Sequence, residues 1–328
     1  MAGQLWLTPS EGGYLYSPEL SRILRKSLQP ATKFRQFCKI EDAKGLHAGD
    51  KFYWNNVGNV GTQGGKLSET NPIPETGFTV SQSNLTLYEY GNSTPYTLKL
   101  DIFAKQDVVS IIDSLLKDDA RKAFDIEAFT QFKATPLRVA PTSGTSTTAV
   151  TLTTNSATAT TNNVELGTGH VKAISDLMKE RNIPAFSGDD YFCISHPTTY
   201  RTFMNSLESI RQYTDIGMNQ IMSGEKGRYE NTRFVEQTFI PKGGANDSTT
   251  FDPATGTADA WNNNKSSWAF FFGGDVVIEA PVIPEEIRAK IPGDYGRSRG
   301  IAWYAVTGFG LANDAAANAR VVMWDSAA

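Results

Sequence analysis

Histidine is scarce in this chain of 328 residues: it occurs three times, at positions 47, 170 and 196. None has a second histidine three or four residues away, and no HExxH or Cys/His pattern surrounds them, so no metal-ligating set is expected. Ser195 places a hydroxyl beside His196. Neighbours on an extended chain point to opposite faces, so the two make a poor nucleophile and base. The cysteines, Cys38 and Cys193, are two and far apart, which excludes a disulfide framework or a CxxC pair. Basic and acidic residues nearly balance, 31 against 35, for a net charge of -4, so there is no global electrostatic case for a nucleic-acid binder.

Long apolar runs are missing too. The longest aromatic-apolar run, Trp268 to Phe272, falls far short of the roughly 20 residues that cross a bilayer. The opening MAGQLWLTPSEGGYLYSPEL has neither the basic start nor the apolar stretch of a signal peptide, so no membrane is expected among the partners. Two glycine-rich pieces fail as nucleotide loops. GNVGTQGGKL has Val60 where a phosphate loop needs glycine and Leu67 where it needs Ser or Thr, and Gly308-Phe309-Gly310 lacks the third glycine of a dinucleotide fingerprint. The pairs Asp118-Asp119 and Asp189-Asp190 are adjacent and do not make the opposed carboxylates of a glycosidase. No catalytic residue, cofactor or metal is therefore assigned, and an enzyme is not expected.

What is present is a chain large enough for about two domains or for one elaborate one. Residues 1–45 scatter Leu5, Trp6, Leu7, Tyr14, Leu15 and Tyr16 without a period, which describes an arm, with a short helix starting at Pro18 and Glu19. From 46 to 100 strands alternate with glycine-rich turns, KFYWNNV and then FTVSQSNLTLYEY, as in a long two-stranded projection. Isolated ribbons are marginal in water, so this one should lie on another surface. Ile112, Leu116, Ala120, Ala123, Phe124 and Ala128 then predict one long amphipathic helix over 102–134, ended by Pro136. Residues 140–163 are a Thr-rich loop or hairpin, and 243–264 a polar, Asn-rich insertion. Between them HVKAISDLMKERN, YFCISHP and TTYRTFMNSLESIRQY read as helix, buried strand and helix, a mixed α/β body. The C-terminal WAFFFGGDVVIEAPVIP, GIAWYAVTGFGLAN and ARVVMWD return to strands.

This order, with KLSETNPIPETGFTVSQSNLTLYEYGNSTPYTLKLDIFA, YFCISHPTTYRTFMNS and MSGEKGRYENTRFVEQ, resembles the major capsid proteins of tailed double-stranded DNA bacteriophages, of the Hong Kong 97 fold and its podophage-type branch. The resemblance implies an α+β fold. Its parts would be an N-terminal arm (1–45), an extended loop (46–100), a peripheral domain (101–166) holding the spine helix, an axial domain (167–290), and C-terminal strands (291–328) returning to the peripheral domain. It implies a structural subunit that self-assembles as hexamers and pentamers into an icosahedral head around packaged double-stranded DNA, touched non-specifically. A scaffolding protein, a portal and a decoration protein would be partners. The location implied is the virion capsid, after assembly in the host bacterial cytoplasm.

Intersubunit contacts would come from Trp6, Tyr14 and Tyr16 on the arm, from Gly64, Gly65, Lys66, Glu69 and Glu75 at the loop tip, and from Asp294, Arg297 and Arg299 in the turn IPGDYGRSR. Some relatives crosslink lysine to asparagine, for which Lys66 would be the donor; ordinary polar contact is the simpler reading. An encapsulin-like non-viral shell is the alternative within the same fold. A β-rich surface protein that binds glycans through its Thr/Ser/Asn segments is the alternative outside it.

Overall fold

A computed structural model describes residues 32–43, 49–58, 61, 64–67, 69, 72–157, 164–205, 225–238, 240 and 267–326. Trp6, Tyr14, Tyr16, the helix expected after Ser17 and the insertion at 243–264 lie outside the described residues. In chain order the elements are β1 (Lys39–Ile40), β2 (Lys51–Val57), β3 (Val80–Thr86), β4 (Tyr88–Thr97), α1 (Leu98–Phe103), α2 (Val108–Lys133), β5 (Leu137–Pro141), β6 (Val150–Thr153), α3 (Thr168–Glu180), β7 (Tyr191–Ser195), β8 (Glu225–Tyr229), β9 (Thr232–Glu236), β10 (Ser267–Phe272), β11 (Val277–Ala289), β12 (Ser298–Leu311) and β13 (Val321–Ser326).

Helix α2 is the organiser. Val108, Ile112, Leu116, Ala120, Phe124 and Ala128 are buried along one stripe, and at 1.5 Å per residue the helix is about 39 Å long. The sequence predicts its end but not its start. The Asp107 side chain accepts from the Val109 amide and begins a new helix, while Thr97 caps α1 by accepting from Leu100, so an extended break at Ala104 separates two helices.

Two sheets pack against α2. The first runs β1-β11-β12-β4, antiparallel except for the short β1–β11 pair. Trp303, Ala305 and Phe309 of β12 are buried in one cluster with Phe124, whose ring lies 5.6 Å from that of Trp303. The second runs β6-β5-β13-β10-β7-β9-β8, with β5–β13 and β7–β9 parallel. Its centre is the aromatic run foreseen in sequence. Trp268, Phe270 and Phe272 join the cluster of α2, and Ala269 and Phe271 join the opposite cluster with Val171, Ile174 and Met178 of α3. A strand buried on both faces needs no polar alternation.

Two sequence expectations change. Strand β4 is not part of the projection: it leaves at Leu87 and pairs with β12 from Tyr88 to Thr97. Its aromatics explain this, since Tyr96 is buried and the Tyr90 ring packs 5.6 Å from Phe124, burial that a two-stranded ribbon cannot offer. The division at 290 does not follow the sheets. Strand β11, inside the segment 167–290, joins β12 and β4, whereas β13, inside 291–328, lies between β5 and β10 in the other sheet. The Thr-rich stretch contains β6, which pairs antiparallel with β5, the hairpin of its two readings.

Candidate assembly surfaces

Strands β2 and β3 form a separate two-stranded ribbon, in register from Lys51–Thr86 to Val57–Val80. Alternation gives it two faces. Phe52, Trp54 and Leu85 turn inward to a small apolar cluster with Ile278, Ala280 and Ala312. The seat is made by the two glycines that fail as a nucleotide fingerprint. A Cβ on Gly308 would stand 2.4 Å from Leu85 Cδ1 and 2.6 Å from the Thr86 carbonyl oxygen, and one on Gly310 would stand 2.8 Å from Leu85 Cβ. Only glycine lets the ribbon approach β12 so closely.

Polar bonds then bolt the ribbon down. Trp54 Nε1 donates to the Ala312 carbonyl at 2.8 Å and Asn56 Nδ2 to the same oxygen at 3.0 Å. Asn56 Nδ2 also donates to Ser83 Oγ at 3.2 Å, and Ser83 Oγ to Asp314 Oδ1 at 3.2 Å. Sequence reasoning missed Trp54, Leu85, Gly308, Gly310, Ala312 and Asp314. The readable signal was a Gly-x-Gly inside a long strand, which marks the close approach of another backbone.

Beyond Val57 and Val80 the Gly58 amide donates to the Thr79 carbonyl at 2.8 Å, and regular pairing ends. Gly64, Gly65, Lys66, Glu69 and Glu75 all lie in this distal part, and all are exposed. They share it with apolar side chains open to solvent: Val57 at 70%, Ile73 at 71% and Phe78 at 72% of full exposure.

The turn between β11 and β12 is the other expected contact. Asp294 and Tyr295 hold left-handed φ of 49° and 54°, and they present Tyr295 and the nearby Ile291 fully or almost fully to solvent. Such backbone costs of order 1 kcal/mol or more per residue. Asp294 and Arg297 pair with each other at 3.6 Å within the turn. Arg299 is used differently, because its Nη1 reaches Asp101 Oδ2 at 3.0 Å and ties β12 to α1. The outer face of the first sheet carries a partly exposed strip: Ala302, Tyr304 and Val306 on β12 pair with Ser93, Gly91 and Glu89 on β4, and the Arg288 guanidinium lies 4.0 Å over the Tyr304 ring.

The residues screened for chemistry have other occupations. Ser195 Oγ donates to the Trp268 carbonyl and the His196 ring meets Thr198, so the two do not engage each other. His170 is buried at the start of α3, where its Nδ1 accepts from the Gly167 amide at 3.1 Å and its Nε2 faces the Ser146 carbonyl at 2.8 Å. Burial lowers its pKa, in keeping with a neutral ring. His47 lies outside the described residues. Among the described residues no helix is long and apolar enough to cross a membrane.

A long helix packed against two sheets, with a two-stranded ribbon docked beside them, is an arrangement that known proteins share. Solved structures over nearly the whole length have the same fold. The capsid of Cyanophage P-SCSP1u is 12% identical, with 96% of this chain and 94% of that one covered and a TM-score of 0.65. The capsid of Ralstonia phage GP4 is 14% identical, covering 95% and 94%, with a TM-score of 0.61. The head of Helicobacter pylori bacteriophage KHP40 is 13% identical, covering 95% of each chain, with a TM-score of 0.62. No curated protein sequence matches. A family model described as phage capsid protein matches residues 80–321, so the chain belongs to that family and is, with its Hong Kong 97 fold, a structural capsid protein that forms a phage head.

Proposed function

We propose that the subunit closes its shell by handing the distal ribbon to a neighbour, and that hexamers and pentamers built this way make an icosahedral head around double-stranded DNA. The observation that carries this reading is the split ribbon, whose base is fixed to β12 while Val57, Ile73 and Phe78 stay exposed beyond it. The partly exposed strip of Ala302, Tyr304 and Val306 is the surface proposed to receive that extended segment. Repetition around a ring makes modest contacts effectively permanent. In this reading Gly64, Gly65, Lys66, Glu69 and Glu75 meet the next subunit, as do Asp294 and Arg297, with the arm residues Trp6, Tyr14 and Tyr16 packing beneath another copy. Arg299 stiffens the turn from within. The arm, extended loop, peripheral and axial domains keep the roles they have in the family, with the boundary between the last two following the sheets.

The role is structural and non-enzymatic. DNA contact is non-specific, consistent with the net charge of -4. A scaffolding protein, a portal and a decoration protein are the proposed partners, assembly takes place in the host bacterial cytoplasm, and the podophage-type branch is the proposed lineage. The test is negative-stain electron microscopy of the chain produced alone and with a candidate scaffolding protein. Closed shells of tens of nanometres are expected. Small discrete particles under both conditions would sink the reading.

A further inference from the structure

Three parts of the chain meet at one buried imidazole. His170 stands in the first turn of α3 at 1% exposure, and its ring lies 4.7 Å from that of Trp324 on β13. Its Nδ1 is 3.1 Å from the Gly167 amide nitrogen and its Nε2 2.8 Å from the Ser146 carbonyl oxygen. A backbone amide only donates and a carbonyl only accepts. The two partners therefore fix the ring, with the proton on Nε2 and Nδ1 bare.

The bond to Gly167 is a helix cap. Gly167 is the residue before the first turn, and a side chain three places on that accepts from its amide makes one half of a capping box. Glutamate or glutamine is the usual occupant of that place, and both still accept in mild acid. Here the acceptor is a group whose ordinary pKa is 6.5. The bond to Ser146 is a tie to the loop between β5 and β6. That loop is closed by the Thr142 amide donating to the Ala149 carbonyl at 2.9 Å, and inside it the Ser146 hydroxyl accepts from the Ala149 amide at 2.9 Å. It lies hard against α3, since a Cβ on Gly169 would stand 2.8 Å from Thr148 Cα and 3.0 Å from the Thr147 carbonyl oxygen.

We propose that His170 is an acid-released cap: neutral, it holds the first turn of α3 to the β5–β6 loop, and on taking a proton from solvent at Nδ1 it lets the Gly167 amide go. The new N–H has the Glu165 carbonyl to turn to, so the linker before α3 must shift. The neighbouring groups do not supply a charge to hold the cation. Glu165 is bonded by the Thr202 hydroxyl, Lys172 lies over the Tyr229 ring, and residues 142–149 contain no charged side chain. Strand β13 faces the ring with Trp324 and by alternation turns Asp325 to the other side, as β5 does Arg138. Burial lowers the His170 pKa against the pull of the Ser146 and Glu165 carbonyls, and the positive end of α3 acts in the same direction as burial. The contribution of the cap is thus full above the ordinary 6.5 and is lost as pH falls through the lower value of the folded chain.

The experiment is hydrogen exchange of the full-length, unassembled chain between pH 7.5 and pH 5, read on the amides of residues 165–171 and divided at each pH by exchange of the same sequence as a free peptide. The ratio reports local opening. It is expected to rise about fivefold as the pH falls, the worth of a typical side-chain cap. His170→Gln supplies an acceptor that does not titrate and should make the ratio independent of pH. A second measurement needs no variant: nitrogen spectra of the His170 ring should show the proton on Nε2 at pH 7 and a midpoint below 6.5. A constant ratio in the unsubstituted chain, a slope that survives in His170→Gln, or a proton on Nδ1 at pH 7 would each overturn the cap.

Discussion

The base and the distal part of the β2–β3 ribbon are made of the same kind of strand and meet opposite fates. At the base every inward residue has a counterpart in its own chain: Leu85 sits on Gly308 and Gly310, and Trp54 and Asn56 share the Ala312 carbonyl. Beyond Val57 regular pairing ends, and among the described residues Val57, Ile73 and Phe78 find no cover. In the proposed assembly the difference marks where folding ends and contact between subunits starts. Side chains that complete the subunit are held by glycine-permitted contact and hydrogen bonds, and those that the proposed assembly would cover are left open.

The sharpest way to break this contrast is to damage the base. Leu85→Ala removes the one ribbon side chain packed against both glycines and should lower stability by about 2–3 kcal/mol, read from chemical unfolding of the unassembled chain. Gly308→Ala attacks the same contact from the other side. Its Cβ would meet the Thr86 carbonyl at 2.6 Å, backbone that does not yield easily, so a loss of about 1–3 kcal/mol is expected. Combining the two tests the seat itself. If Leu85→Ala makes room for the new methyl group, the double variant should lose less than the sum, and strict additivity would mean that the ribbon is not held there.

Much of this was legible in the sequence, and the exceptions share a cause. The spine helix announced itself through the spacing of Ile112, Leu116, Ala120 and Phe124, and the central strand through the run from Trp268 to Phe272, because local periodicity reports local burial. What periodicity does not report is the partner. Strand β4 continues the alternation of β3, so nothing in its pattern says that Tyr90 and Tyr96 belong to Phe124 and the core beyond it. Strands β11 and β13 similarly read as strands without saying which sheet each joins. Of the expected contact residues, those of the loop tip were placed by their glycines and polarity. That Arg299 meets Asp101 was not legible, because the two are remote in sequence and come together only in the fold. Gly308 and Gly310 were visible from the outset but were measured against a nucleotide motif and not as a seat.

A smaller effect sharpens the base alone. Trp54→Phe keeps the ring and removes the indole N–H, leaving the Ala312 carbonyl with Asn56 Nδ2, so stability should fall by about 1 kcal/mol while shells still form. The smallest change in stability belongs to the distal part and carries the strongest consequence for assembly. Phe78→Ser alters a side chain at 72% exposure, and surface substitutions of this kind usually stay within about 0.5 kcal/mol. Unfolding of the isolated chain should therefore be unchanged, while shell yield in electron micrographs falls and the double variant Ile73→Ser, Phe78→Ser lowers it further. A variant that unfolds more easily would place Phe78 inside the subunit after all. Unchanged stability with undiminished shell yield would mean that the distal apolar residues serve neither purpose, and the division of the ribbon into a folding half and an assembly half would have to be abandoned.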